Sequence, residues 1–272
     1  MIWTAGRLLP DESLAINVRD RTFEHGLGLF ETFRTYEGRP LHLRRHLARL
    51  TNSAAELGLP LDAATLPGAD AVAALLHAEG VRGDALLRLT MSGGGPGFPA
   101  AVWLRSAPLP PPHREPGAIV AGTWEVARGD ATIRHKCLNY WPRRLAHERA
   151  VAAGADEALS VTADGLVWEG SRTNLFVVLG DKLATPHAGG PLLPGIMRGL
   201  LLERARALGI VVVEGEFPPE AFRTASEAFL TNSVRGIIPI ARLLSVALPA
   251  PGPLTIRLRE EILNALAAGL DS

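Results

Sequence analysis

Five prolines fall between residues 107 and 117: Pro108, Pro110, Pro111, Pro112 and Pro116. Proline has no backbone N–H and a fixed φ, so neither a helix nor a central strand can run through this stretch. It reads as a short, stiff linker. It divides the 272-residue chain into a smaller N-terminal domain, 1–112, and a larger C-terminal one, 113–272. Each half is long enough to bury a core of its own.

On both sides the pattern mixes short strands with single helices. Ile2–Leu9 reads as a hairpin over Ala5-Gly6, and Leu27–Leu43 as two β-rich runs around Glu37-Gly38. Leu43, Leu47, Leu50, Ala54 and Leu57 then recur at helical spacing until Gly58 and Pro60 stop them. A second helix is expected over 68–78. Strands at Ala85–Met91 and Ala101–Arg105 flank a glycine-rich loop, 92–97. Beyond the linker come a strand at Ala118–Val126 and a helix at Pro142–Ala153. Two hairpins follow, Glu157–Thr162 with Leu166–Trp168, and Asn174–Leu179 with Leu183–Thr185. A helix at Ile196–Ala207, strands at Ile210–Val213 and Ala228–Leu230, and a helix at Thr255–Ala267 complete the chain. Helices alternate irregularly with mostly hairpin-linked strands, which predicts an α+β fold.

Charge is balanced, 28 Lys+Arg against 28 Asp+Glu, with no basic run. That argues against a protein held to nucleic acid or anionic membrane by a broad field. Apolar runs such as Ala71–Leu76 are too short to span a bilayer. Arg7, Asp11 and Glu12 precede any long apolar segment, so no signal peptide is readable and a soluble cytoplasmic protein is expected. A single cysteine allows no internal disulfide and no Cys-based zinc site. His42 and His46 sit four apart on a helix without an acidic third ligand and read as surface or packing residues. No metal site is expected.

Of the 28 basic residues only Lys136 and Lys182 are lysines. Arginine keeps its proton at neutral pH, whereas a desolvated lysine can become a nucleophile. Lys182 follows Gly180-Asp181 in a solvated turn and reads as a surface charge. Lys136 lies among apolar and aromatic residues in Ile133-Arg-His-Lys136-Cys-Leu-Asn-Tyr140-Trp141. Burial and a neighbouring cation favour the neutral amine of Schiff-base chemistry, although a snorkelling lysine at a helix entrance fits the same segment.

Three other groups are suited to chemistry. Leu193-Pro-Gly-Ile196-Met197-Arg-Gly199 leads tightly into a helix whose N-terminus can hold an anion. Thr231-Asn-Ser233-Val-Arg235-Gly236 follows a strand, as an anion cradle or an ordinary polar turn. Glu169, beside Trp168 at a strand end, needs a cation or donors. A protonated heterocyclic nitrogen would satisfy it, and so would Arg172. The 92–97 loop lacks the ending of a nucleotide-binding loop. Cys137 could pair with His135 or simply pack.

The order of these segments resembles the class IV aminotransferase family, the fold-type IV enzymes that use pyridoxal 5′-phosphate. Six motifs carry the resemblance: Arg19-Asp-Arg21 with Gly26–Arg34, His46-Leu-Ala-Arg49-Leu50, Lys136–Tyr140, Glu169–Phe176, Leu193–Arg198 and Thr231–Pro239. It implies that Lys136 bonds to the cofactor aldehyde carbon and carries the proton, and that Glu169 faces the pyridine nitrogen. It gives the phosphate to Arg49, the Ile196 and Met197 N–H groups and Ser233, and the phenolic oxygen to Tyr140. It further implies a homodimer, with the cofactor between two α+β domains.

The reaction is read from finer likeness. D-amino acid aminotransferases carry Arg and His in the loop that here is Ser92–Pro99, which has neither. Branched-chain enzymes share Leu-Pro-Gly-Ile and Asn-Tyr but read FEG at Phe30-Glu-Thr32 and GT at Asn232-Ser233. Leu29-Phe-Glu-Thr, Lys-x-Leu-Asn, Gly-Ile-Met-Arg and Thr-Asn-Ser are more similar to aminodeoxychorismate lyases. The leading expectation is 4-amino-4-deoxychorismate lyase, releasing pyruvate and 4-aminobenzoate. The alternative is a transaminase of branched-chain-like, D-amino acid or (R)-amine type. Arg88, Arg235 and Arg34 are the candidates for binding a substrate carboxylate.

Overall fold

The computed structural model describes residues 1–113 and 115–267, so Arg114 of the linker lies outside the described residues. The chain divides into two compact units. The first holds Met1–Pro111 together with His135–Tyr140, and the second holds Pro112–Arg134 and, among the described residues, those from Trp141 to Ala267. The short segment bearing Lys136 thus packs with the N-terminal unit, although it follows the linker in sequence.

The first unit comprises β1 (Ile2–Thr4), β2 (Arg7–Leu9), α1 (Arg21–His25), β3 (Gly28–Tyr36), β4 (Arg39–Pro40), α2 (Leu43–Glu56), α3 (Ala69–Ala78), β5 (Ala85–Ser92) and β6 (Val102–Pro108). Its antiparallel sheet has the order β2-β1-β6-β5-β3-β4. Both tight hairpins use consecutive residues of positive φ, Ala5-Gly6 and Glu37-Gly38, the backbone a two-residue turn needs. Phe33, Leu87, Leu89 and Leu104 bury one sheet face against Leu50 of α2 and Val72 and Leu75 of α3. Two backbone bonds lay His135–Tyr140 along the start of β3: Phe30 N–H to the Lys136 carbonyl and Leu138 N–H to the Gly28 carbonyl, both 2.9 Å. Gly28 makes this approach feasible. A Cβ there would lie 2.6 Å from both Leu138 Cδ1 and the Met91 carbonyl, and its φ is +137°.

The second unit comprises β7 (Ala118–Glu125), α4 (Trp141–Ala152), β8 (Glu157–Val161), β9 (Val167–Gly170), β10 (Asn174–Leu179), β11 (Lys182–Pro186), α5 (Ile196–Ala207), β12 (Val212–Gly215), β13 (Ala225–Asn232), β14 (Gly236–Leu243), β15 (Val246–Ala247) and α6 (Pro253–Ala267). The sheet runs β12-β11-β10-β13-β14-β7-β8-β9, with β15 on β14. β9 also meets β10, at Glu169 opposite Asn174, so the sheet closes on itself at a predicted site residue. Leu175 and Val177 pack with Val120, Leu159, Leu230 and Ile240. The alternate residues Phe176 and Val178 pack with Leu200 and Leu201 of α5 and Leu258 of α6. Apolar side chains on both faces follow from this two-sided burial.

The α+β expectation holds, but hairpins are only part of the topology. β7 and β8 pair in parallel across α4, and β11 and β12 pair in parallel across α5. β14 has no counterpart in the sequence reading. Its run Ile237–Ile240 is buried throughout and contains Pro239, which cannot donate to a ladder, so neither alternation nor free donors mark it as a strand.

Candidate active site

In the first unit the half-buried Lys136 holds its Nζ 4.4 Å from the Phe30 ring centroid and 5.4 Å from that of Tyr140. Phe30 and Tyr140 meet edge to face at 5.2 Å. The Arg88 guanidinium lies over the same Phe30 ring at 3.8 Å. Arg88 sits on β5 opposite Thr32, two residues from Phe30 on β3. An amine and a guanidinium therefore share one aromatic platform, an arrangement favoured by the ring quadrupole. Burial, followed by neighbouring Arg105, pushes the Arg88 guanidinium down from its ordinary value. Arg34 is turned elsewhere, to Asp84 at 3.2 Å and to the Thr35 carbonyl. Lys182 is exposed at the start of β11.

Arg49, on α2, is gripped by Glu31 of β3. Its Nε donates to Oε1 at 2.8 Å and its Nη2 to Oε2 at 2.6 Å. Burial by itself would raise the Glu31 carboxyl, but Arg49 and then His46 outweigh it and hold the group at about 2. Glu31 is therefore the acceptor, and His46 Nδ1 donates to its Oε2 at 2.6 Å. The histidine expectation needs correction. His46 is fully buried in this network. His42 is not in the helix but caps it, with a left-handed backbone. Glu31 was not singled out from the sequence, because one carboxylate within an apolar strand has no periodic signature.

The glycine-rich loop is filled from within the unit. Asp20 accepts the N–H groups of Gly93 and Gly94, both at 3.1 Å, and the Ser92 hydroxyl at 2.6 Å. Arg21 Nη2 holds the Gly93 carbonyl at 2.7 Å. Those amides serve a protein carboxylate, in keeping with the absence of a nucleotide-binding ending.

In the second unit Glu169 is buried at the β9 end. Its Oε1 accepts Arg143 Nη2 at 2.5 Å and the Leu193 N–H at 3.1 Å, and its Oε2 accepts Asn174 Nδ2 at 3.2 Å. The expected alternative partner, Arg172, is exposed and lies against His147 Nδ1 at 3.3 Å. It occupies the turn between two strands, which points it outward, while Arg143 reaches Glu169 from the first turn of α4. Sequence reading missed Arg143 because 26 residues separate the pair. Buried Glu157 orders the turn after Glu169, accepting from the Ser171 N–H and hydroxyl and the Thr173 hydroxyl.

Asn174 couples Glu169 to the start of α5. Its Nδ2 also donates to the Leu193 carbonyl at 2.9 Å. Gly195 is the N-cap of α5, which has no side-chain cap. A Cβ on Gly195 would collide with Asn174 Oδ1. The N–H groups of Ile196 and Met197 begin this helix, where the dipole favours an anion. Thr231 lies opposite Asn174 across the β10–β13 ladder, hence on the same sheet face. Its buried hydroxyl has no partner among the described residues. Ser233 lies in the turn after β13. There the Val234 and Arg235 N–H groups are taken by Asn232 Oδ1, at 3.0 and 2.8 Å, so hydroxyls rather than those amides remain to meet a ligand. Arg235 is half-buried, and burial, then nearby Arg172, lowers its guanidinium from the ordinary value.

A family model described as amino-transferase class IV matches residues 28–243. The chain belongs to the class IV aminotransferase family. It is 29% identical over 261 residues to aminodeoxychorismate lyase of Bacillus subtilis, covering 90% of this chain and 87% of that protein. It is 32% identical over 251 residues to a putative branched-chain-amino-acid aminotransferase of Methanocaldococcus jannaschii, covering 88% and 86%. Among solved structures, branched-chain aminotransferase from Thermoproteus uzoniensis with norvaline superposes with a TM-score of 0.88 at 29% identity, covering 98% of this chain and 94% of that one. The fold is therefore fold-type IV, and members of this class IV aminotransferase family are pyridoxal-phosphate enzymes.

The donor set fits that cofactor. A dianionic phosphate suits an uncapped helix N-terminus beside an unpartnered buried hydroxyl. A ring nitrogen suits a buried carboxylate, and an aldehyde suits a lysine amine. No group of His, Cys, Asp and Glu among the described residues is arranged to hold a metal ion. No described helix is long and apolar enough to cross a membrane.

Proposed function

We propose that this class IV aminotransferase is a 4-amino-4-deoxychorismate lyase, releasing pyruvate and 4-aminobenzoate. The observation that carries the reading is the pairing of Lys136 and Arg88 over one Phe30 ring. It suits a substrate with an amine to react and a carboxylate to hold nearby. Pyridoxal phosphate, when bound, supplies the electron sink that acidifies the carbon bearing that amine.

In this reading Lys136 is the covalent anchor and then the base that removes the proton from the substrate carbon. Arg88 binds the carboxylate, with Arg235 as the further carboxylate candidate; Arg34, held by Asp84, is set aside. Tyr140 donates to the phenolic oxygen, and Phe30 fixes its ring edge-on. Glu169 holds the ring nitrogen. The Ile196 and Met197 N–H groups, Ser233 and Arg49 hold the phosphate, with Glu31 and His46 orienting Arg49. Loss of the substrate proton and departure of pyruvate leave an aromatic ring, so the elimination balances without a second substrate. The likeness to the Bacillus subtilis lyase supports this choice.

The second reading is an amino-acid transaminase, favoured by the 32% identity to the archaeal branched-chain relative. There Lys136 would keep and pass on the proton it takes from the substrate carbon instead of assisting loss of a leaving group. One assay separates the two. Aminodeoxychorismate made from chorismate should yield 4-aminobenzoate, whereas amino donors with 2-oxoglutarate or pyruvate should give no turnover. Turnover only with the donors rejects the lyase. We also propose a homodimer, supported by exposed Val18, Phe23 and Leu27 around α1. A monomer mass in light scattering would reject it.

A further inference from the structure

Glu169 is already paired within the protein. Arg143 Nη2 donates to it at 2.5 Å, and the two side chains are 11% and 3% exposed. The same Nη2 donates to the Ile133 carbonyl at 3.2 Å. The guanidinium also lies 5.6 Å from the Trp124 ring centroid. Contacts from the loop before Lys136, from β7 and from β9 thus hold one arginine against one carboxylate. Neighbouring Arg144 differs: it is exposed and pairs with Glu148 on the same helix.

We propose that Arg143 is a positioning residue that shares Glu169 with the cofactor ring nitrogen and so limits how tightly that nitrogen is held. The inference rests on the functional reading above. A buried carboxylate without a counter-ion is costly, so with Arg143 in place Glu169 is satisfied before any cofactor arrives. A protonated ring nitrogen then gains only a share of its charge, and it meets a guanidinium of like charge on the same group. Without Arg143, the Asn174 and Leu193 N–H groups remain, and the guanidinium of like charge no longer competes with the ring nitrogen for the carboxylate. Binding is then stronger.

Pyridoxamine 5′-phosphate is a suitable probe, since it has no aldehyde and cannot bond to Lys136. Its dissociation constant is read by fluorescence titration for the full chain, Arg143→Met, Glu169→Gln and the double variant, with Arg144→Met as a control. We expect Arg143→Met to tighten binding about tenfold in the presence of Glu169 and less than about twofold in its absence, a coupling within the range of contacting pairs. Arg143→Lys keeps the charge without the fork and should tighten binding by less; it replaces Arg143→Met if that variant does not fold. An equal effect in both Glu169 backgrounds, or weaker binding, overturns the inference alone. A parent protein that does not bind the probe overturns the functional reading with it.

Discussion

At the scale of single residues, two groups carry distinct consequences. Lys136 is held by its backbone, through the Phe30 N–H bond to its carbonyl, so truncating the side chain leaves the segment in place. Lys136→Ala should fold, yet lack the yellow band that borohydride bleaches in the loaded parent; retention of that band would place the covalent bond elsewhere. Glu31 is a stability prediction. Its carboxyl is lowered from 4.5 to about 2 in the folded protein, so the folded state binds the proton less well than the unfolded one. The stabilisation is complete above the ordinary value and disappears as pH falls from 4.5 through about 2. Glu31→Gln should cost about 3–5 kcal/mol, because it removes the carboxylate charge that faces Arg49 in a largely buried place. Denaturant titrations at neutral and acidic pH test both, with parent and variant converging in acid.

At the scale of elements, the start of α5 is the part most sensitive to a small change. Gly195 has an ordinary φ of −66°, so a methyl group there costs nothing in backbone strain. The cost is the collision with Asn174 Oδ1, which would push the helix start away from Asn174 and Glu169. Gly195→Ala should weaken pyridoxamine 5′-phosphate binding about tenfold, the scale of one charge-assisted hydrogen bond. Gly199 lies one turn further on, and a Cβ there meets nothing within 4 Å. Gly199→Ala should raise stability by about 0.5–1 kcal/mol through helix propensity alone and leave binding unchanged. A fall in affinity for both variants would mean that α5 responds to any substitution rather than to the close approach at its cap. The elements themselves were legible wherever a local rule applied. The apolar period of α2 and the turn residues Asp164-Gly165 and Gly180-Asp181 marked their elements because each depends on neighbours in sequence. α1 was not legible, being only five residues long and set by Asp20, whose other partners lie more than 70 residues away.

At the scale of the whole molecule, cofactor loading should act as mass action on folding. With pyridoxal phosphate at about one hundred times its dissociation constant, the stabilisation is about 2.7 kcal/mol. For a chain of this size that is roughly 5–10 °C in Tm by differential scanning fluorimetry. No shift, in a protein that also stays colourless, would reject cofactor binding.

The sequence by itself determined the class of chemistry. Two lysines, one of them in an apolar segment, limited the nucleophile to a single plausible residue, and six ordered motifs resembled one family. Those are properties of residue type and order, which survive without coordinates. Only the tertiary structure decided the partners: Arg143 rather than Arg172 on Glu169, Glu31 on Arg49, Asp20 in the glycine loop, and Arg88 over Phe30 beside Lys136. Ion pairs and ring contacts are fixed by which strands lie side at side and where a sheet closes, and burial then makes each buried charge keep the partner that packing brings to it.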